Sequence, residues 1–520
     1  MAAAAQPTAA ESFSPAARWL ATLAVLSAFF TSIFTGTMVN VAVPDVMGAF
    51  GVGQGQAQFL SSTFLAMNTT GLLASSWVIG KLGQRKTFMF VMLGFAGASL
   101  VCYSAPTLEI LILGRVMQGF AAGILQPLVM LVLFQVFPME KRGLAMGMFS
   151  MGVTVALGLG PSIGGMAIDA VSWRAIFLAP IPACMLAILL GALYLPPEEQ
   201  RMPTGKFDLL GFGLINATVF CWFTMLGNGQ KWGWASDNIM LLALVAVLSG
   251  IAFVMSQKRP GASLLDLSLF RNGAFVAALV MSFLFGFGNF ASVYAFPIFG
   301  QIVQGFSPSV AGSMLLPGSL FAAAVLPLTG RVSDKIPAPY VMIFGLSVIA
   351  ISMFMLAGAD TNTVFAYIAF ALLIGRVGSA FVSPALNTTA IGALSPAQMR
   401  RGAGVANLSL MLGGSTGISV FVILLEKRTE FHAVNLGATQ TTSNSAMMEM
   451  LGRVANQLSV AGLPEAAQQG MAMIYLDRVV SAQAQMLGFQ DGFVALTLIA
   501  LAPLIPVMYF LRLQMRRKQT

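Results

Sequence analysis

Histidine, cysteine and charge are all scarce in this chain of 520 residues. It has one histidine, His432, and three widely separated cysteines, Cys102, Cys184 and Cys221. Metal cages draw mainly on those two residue types, and a Ser-His-Asp site would have to be built on a single imidazole. Both metalloenzyme and triad hydrolase are therefore disfavoured, and no metal and no cofactor is expected. The phosphate-binding G-x-x-x-x-G-K-[ST] is missing too: Gly205-Lys206-Phe207 lacks both its upstream glycine and its hydroxyl residue, which argues against ATP hydrolysis. Charged residues make up 9% of the chain, against roughly 25% in ordinary soluble domains. Hydrophobic residues make up 57%, and 27 Lys and Arg with 18 Asp and Glu cannot keep the outside of so long a chain in water. Lipid is the solvent. The net charge of +9 comes from basic residues spread in twos and threes between apolar runs, so it makes no patch for nucleic acid.

A hydrocarbon core of about 30 Å takes roughly 20 apolar residues per helix. Fourteen such runs are present, near 19–43, 57–79, 87–104, 108–134, 144–168, 175–195, 209–228, 238–256, 274–299, 310–329, 340–358, 363–385, 402–425 and 488–511. Lys and Arg test the count, because they accumulate on cytoplasmic joints. With the N-terminus inside, nineteen of the 27 fall on that side and six on the other, while Arg115 and Arg376 lie within spans. The expectation is an all-α polytopic membrane protein with both termini cytoplasmic, whose first helix is an uncleaved span rather than a signal peptide.

The chain repeats itself. Leu111-Ile112-Leu113-Gly114-Arg115-Val116 returns as Leu372-Leu373-Ile374-Gly375-Arg376-Val377, an offset of 261, and Ala42-Val43-Pro44 returns as Ala295-Phe296-Pro297, an offset of 253. The segment from Ser76 to Lys81 is matched by Gly330-Arg331-Val332-Ser333-Asp334-Lys335. Three matches in one order predict two six-helix halves, 19–200 and 261–511, around an inserted two-helix hairpin at 201–260. Cytoplasmic tails at 1–18 and 512–520 complete the division. Two like halves around a midplane cavity is an architecture for alternating access.

Four segments carry a family resemblance. In span 4, Leu111-x-x-x-Arg115-x-x-Gln118-Gly119 resembles motif B of the major facilitator superfamily. In span 5, Gly158-x-Gly160-Pro161-Ser162-Ile163-Gly164-Gly165 resembles its antiporter motif C. Asp208-Leu209-Leu210-Gly211 and the run Leu264 to Phe270 look like further marks of its fourteen-span drug:proton antiporters, the EmrB/QacA-like branch. The resemblance covers nearly the whole chain. It implies a major facilitator fold with 14 transmembrane helices in a bacterial inner membrane, and proton-coupled efflux of small amphiphilic compounds.

The residues have physical readings of their own. Gly158, Gly160, Gly164 and Gly165 strip one helix face of side chains while Pro161 permits a bend, giving either an outer gate or plain close packing. Arg115 lies mid-membrane, where a charge costs at least about 2.5 to 3.5 kcal/mol. It is either a proton-coupling or anion site with Gln118 and Gly119, or a tie between carbonyls of adjacent helices. The joint after span 2 resembles motif A in part, with Lys81, Gly83, Arg85 and Lys86. Gly80 stands where that motif has an aspartate, so an inner latch falls to the second copy, Gly330, Arg331, Asp334 and Lys335; the alternative is a solvated basic loop. Asn40, Asn68, Gln126, Asn289, Tyr294, Arg376 and Asn387 are the candidates for the cavity wall.

The branch's span-1 aspartate would fall at Thr35. Every Asp and Glu in the chain lies near a span end or outside the spans, so the membrane interior holds two arginines and no carboxylate. That leans substrate choice toward anionic or neutral amphiphiles and leaves an uncoupled facilitator or lipid translocator as an alternative. A transporter-shaped sensor or scaffold is the alternative of another class. Residues 427–487 form the one long outer stretch, in which Met447, Leu451, Val454 and Leu458 make a helical stripe. A hairpin lying on the outer surface is expected. It either docks a periplasmic adaptor near Arg428 and His432, as the resemblance implies, or rests on the bilayer.

Overall fold

A computed structural model of the chain describes residues 14–138, 141–195, 207–259 and 264–519. Among them every regular element is helical, as lipid demands of any chain that must satisfy its backbone within each span. Thirteen helices are long and apolar enough to cross a membrane. The fourteenth is span 2, Phe59–Leu82. Its Ser61, Ser62, Asn68, Thr69, Thr70 and Ser75 dilute the apolarity, and all six are buried. Span 2 can be polar because spans 4 and 13 and the hairpin helix Leu209–Trp232 pack around it, keeping its hydroxyls out of lipid.

Local chemistry sets many helix starts. Ser14 accepts from Ala17 N ahead of Pro15–Phe50 (span 1), Thr107 caps Leu108–Val136 (span 4), Ser236 caps Asp237–Ser256 (span 8) and Asn272 caps Gly273–Ile302 (span 9). Each side chain satisfies an N–H that the first turn leaves free. Spans 7 and 8 pack on each other, and span 7 rests across the groove between span 2 and Pro396–Ala438 (span 13). Its Val219, Phe223 and Leu226 bury against Ala66, with Leu412 at the edge of the same cluster. The hairpin thus bridges both halves. Span 8 turns Met240, Leu241, Leu244, Leu248 and Ile251 outward, an apolar surface suited to lipid.

The halves meet along three pairings: span 1 with span 9, span 2 with span 13, and Arg142–Ala170 (span 5) with Leu316–Lys335 (span 10) and the short helix Pro308–Ser313 before it. Pro44 and Pro297, partners in the sequence repeat, both sit inside their helices.

The long outer segment departs from expectation. Span 13 continues unbroken to Ala438, and Glu465–Leu501, the helix of span 14, begins well before the apolar run. At about 1.5 Å per residue these helices outrun a core of about 30 Å. The second arm of the hairpin is continuous with the helix of span 14, so the hairpin projects instead of lying flat. Between the arms Ser445–Val460 turns its Met447 stripe inward against the span-14 helix.

Candidate functional site

A cavity of about 1900 Å³ lies between the halves. Gly83, Gln84, Lys258, Asp266 and Met399 line its mouth at the end rich in basic loops, and Asn40, Ser61, Val293, Arg376 and Ile418 line its depth. Beyond that depth the halves close on each other. Ser162 Oγ donates to Gly312 O at 3.1 Å, Gln301 Nε2 to Val41 O at 2.8 Å and Ser415 Oγ to Ser62 O at 2.6 Å. Gly55 N donates to Glu426 Oε1 at 2.6 Å, and Ser309 N to Asp169 Oδ2 at 3.1 Å.

The motif C glycines are part of this seam. A Cβ on Gly165 would stand 2.2 Å from Pro308 O, and one on Gly312 would stand 2.1 Å from Pro161 O. Backbone meets backbone there, so any side chain would push the halves apart. Gly158 faces Ser319 of span 10, while Gly160 and Gly164 face Thr37 and Met38 of span 1.

Arg115 is fully buried and does not border the cavity. Its Nε donates to Leu60 O at 2.8 Å, and its Nη1 to Thr35 O at 3.3 Å and Gln118 Oε1 at 2.9 Å. Gln118 Nε2 in turn donates to Ser99 Oγ at 2.8 Å. Gly119 lets span 4 close on Phe64 O. The Phe64 ring lies 4.4 Å from the guanidinium carbon and is itself cavity wall, so an aromatic face separates this arginine from the void. The geometry is that of the carbonyl tie, and a ligand in this cavity does not reach an anion site at Arg115 or Gln118.

Of the predicted wall residues, Asn40, Asn68, Gln126, Asn289, Arg376 and Asn387 line the cavity. Tyr294 does not. It is fully buried in the core that joins the two halves, on a face of span 9 turned from the void. Asn40 accepts from Ser61 Oγ at 2.6 Å, and Asn68 Oδ1 has no partner among the described residues. Gln126 accepts from Asn407 Nδ2 at 2.8 Å, across the two halves. Sequence reasoning passed over Asn407, Gln301 and Ser415, although a lone amide in an apolar run was the available signal for the first two. It also gave no cavity role to Gln257, Lys258 and the run Leu264 to Ser268, which line the mouth. Gln257 positions that segment by donating to Asp208 Oδ2 at 2.7 Å and accepting from Leu265 N at 3.1 Å.

The residues proposed for an inner latch sit at the open end. Gly83 takes a φ of +80° between spans 2 and 3, Lys81 lies over the Trp77 ring at 4.7 Å and Arg85 donates to Ala192 O of its own half. Arg331 and Lys335 are exposed, Gly330 has open space beside it, and the side chain of Asp334 lies outside the described residues. At the far end, Arg428 Nε and His432 Nε2 both meet Asp491 Oδ2 at 2.6 Å, clamping span 13 to span 14.

Comparison with known proteins agrees with this architecture. The chain is 29% identical to the multidrug export protein EmrB of Haemophilus influenzae, over 80% of this chain and 82% of that one. It is 25% identical to the fatty acid resistance protein FarB of Neisseria gonorrhoeae, over 94% and 95%. In structure it matches a bacterial homolog of the human lysosomal transporter Spinster, solved inward-facing and unoccupied, with a TM-score of 0.66 at 16% identity over 96% of this chain and 99% of that one. Residues 25–418 match the family model of the Major Facilitator Superfamily. A multi-pass bundle of two six-helix halves and an inserted hairpin, matched to that model over most of its length, belongs to the Major Facilitator Superfamily.

Proposed function

We propose that this protein is a secondary active exporter of amphiphilic, drug-like compounds, working by alternating access and energised by proton antiport. One observation carries the reading: a large, mostly apolar cavity with a few amides, open toward the basic end and sealed at the other by a glycine seam. Basic loops mark the cytoplasmic face, so this is the state that loads from the cytoplasm or the inner leaflet of a bacterial inner membrane. Lys81, Arg85, Lys86, Arg331, Asp334 and Lys335 then sit where an inner latch closes after loading. The export-protein relatives support the direction of transport.

In this reading the motif C seam is the outer gate. Replacing Gly165 with Val puts side-chain atoms into the Pro308 carbonyl. Export should fall by about tenfold or more, since the sealed state becomes inaccessible, and a cysteine placed at Asn40 should become reactive from outside. Normal export by this variant overturns the gate. Glu426 is the acid best placed to couple protons, because its carboxylate holds the seam through Gly55 N and protonation weakens that hold. Substrate-driven proton movement in proteoliposomes tests the coupling; export without it supports the uncoupled alternative. The projecting arms expose Phe431, Val434, Met473 and Ile474, an apolar surface for a periplasmic adaptor of a tripartite system. Co-purification of an adaptor that survives deletion of 440–480 overturns docking on this projecting segment, and failure of any adaptor to co-purify with the full chain argues against that partner.

A further inference from the structure

The two membrane arginines do not share one environment. Arg376 is 7% exposed and borders both the main cavity and a small neighbouring pocket of about 30 Å³. Its Nη2 is sealed and has no acceptor, and among the described residues no hydrogen bond or ion pair engages the rest of the guanidinium. Asn289 and Ser379 border both the cavity and the pocket beside it. Among the described residues the cavity wall of the N-terminal half carries no charge, and the other wall charges, Lys258 and Asp266, are at the mouth. A cationic fork held deep in a low-dielectric wall without a counter-charge is costly unless something supplies one. A pocket of that size holds a water or so, which can hydrate the fork but not neutralise it.

We propose that Arg376, with Asn289 and Ser379, binds the anionic headgroup of an amphiphilic ligand. The guanidinium offers a carboxylate or sulfonate charge-assisted hydrogen bonds from the N–H groups that border the cavity, and a second, parallel bond from Nη2 once the headgroup displaces the side chains that seal it. Asn289 supplies a neutral donor beside it, and the Ser379 hydroxyl, which donates to Gly375 O at 3.0 Å, joins by turning from that carbonyl to the headgroup. The tail extends across the uncharged opposite wall, over Phe29, Phe64 and Phe149, where Phe29 and Phe149 already stack at 4.5 Å. The deepest fixed charge thereby sets the orientation: head to the C-terminal half, tail to the N-terminal half. This inference rests on the export reading, because it takes the cavity to be the substrate's path.

The test uses the full chain in nanodiscs of zwitterionic lipid, in chloride-free buffer, with three probes that share one tail: decanesulfonate, decanol and decyltrimethylammonium. Competition against a neutral fluorescent reporter measures each affinity. In the native chain the sulfonate should bind tighter than the ammonium. Arg376→Gln should weaken the sulfonate about tenfold or more while leaving decanol unchanged, and Arg376→Lys should keep part of the preference. Unchanged decanol binding also reports that the variant is folded; if Arg376→Gln does not fold, the native preference and Arg376→Lys decide. Equal losses for all three probes, no loss for the sulfonate, or native preference for the ammonium would each overturn the proposal. Added chloride should compete with the sulfonate in the native chain. Chloride that binds Arg376 and cannot be displaced by the sulfonate assigns the site to a free inorganic ion and overturns the headgroup role. Vesicle export of the neutral reporter separates the two readings. If it persists while sulfonate binding ignores Arg376, only this inference fails; if it is absent while headgroup discrimination remains, only the export reading fails.

Discussion

Arg115 and Arg376 hold equivalent places in the sequence repeat, yet their surroundings are opposite. In the first half Nε and Nη1 are spent on two backbone carbonyls and Gln118, only Nη2 lacks a partner among the described residues, and the Phe64 ring stands between the guanidinium and the cavity. In the second half it has no acceptor among the described residues and borders the cavity. A repeat copies position along a helix, whereas the use of a charge depends on which neighbours close around it. One arginine therefore holds a bundle together, while the other is left free to meet a ligand.

The largest effect that tests this contrast is on stability. Arg115→Ala strands the carbonyls of Leu60 and Thr35 and the amide of Gln118 in a dry interior. A loss of about 3 kcal/mol or more is expected from charge-assisted bonds of this kind, read as a large fall in Tm in detergent with all substrates affected alike. Selective loss of anionic substrates at unchanged Tm would erase the contrast. Gln118→Leu should show the same signature at smaller scale, about 1 to 2 kcal/mol, because it removes one acceptor from Arg115 and one donor from Ser99. Glu426→Gln keeps an acceptor for Gly55 N but loses the titrating group. Export should persist with proton movement per substrate reduced severalfold, and unchanged stoichiometry would move coupling elsewhere. The smallest stability effect belongs to Arg376→Met. Removing an unpaired buried charge leaves nothing stranded, so Tm should stay within a degree or so or rise, against the collapse expected at Arg115.

Much of the plan was readable in order along the chain. The apolar runs, the uneven basic loops, the repeat and the motif C glycines specify a two-halved membrane bundle without coordinates. The polar span 2 was readable as a helix although its hydropathy is weak. The projection of residues 439–464 on long helical arms was not, because amphipathic periodicity reports a helix and its face but not whether the helix continues a span. Tyr294 was assigned to the cavity from its depth and span number and faces packed protein instead, while for Arg115 the sequence left an anion site and a carbonyl tie open and the geometry is that of the tie.

Hydropathy and charge add up along the chain, so the sequence alone determined the number of spans, the basic end, the family and the seam where side chains are absent. Rotation about each helix axis is set by packing between spans far apart in sequence. Only the tertiary structure decided that Phe64 screens Arg115, that Arg376 has no acceptor among the described residues, that spans 4, 7 and 13 shelter span 2, and which end of the cavity stands open.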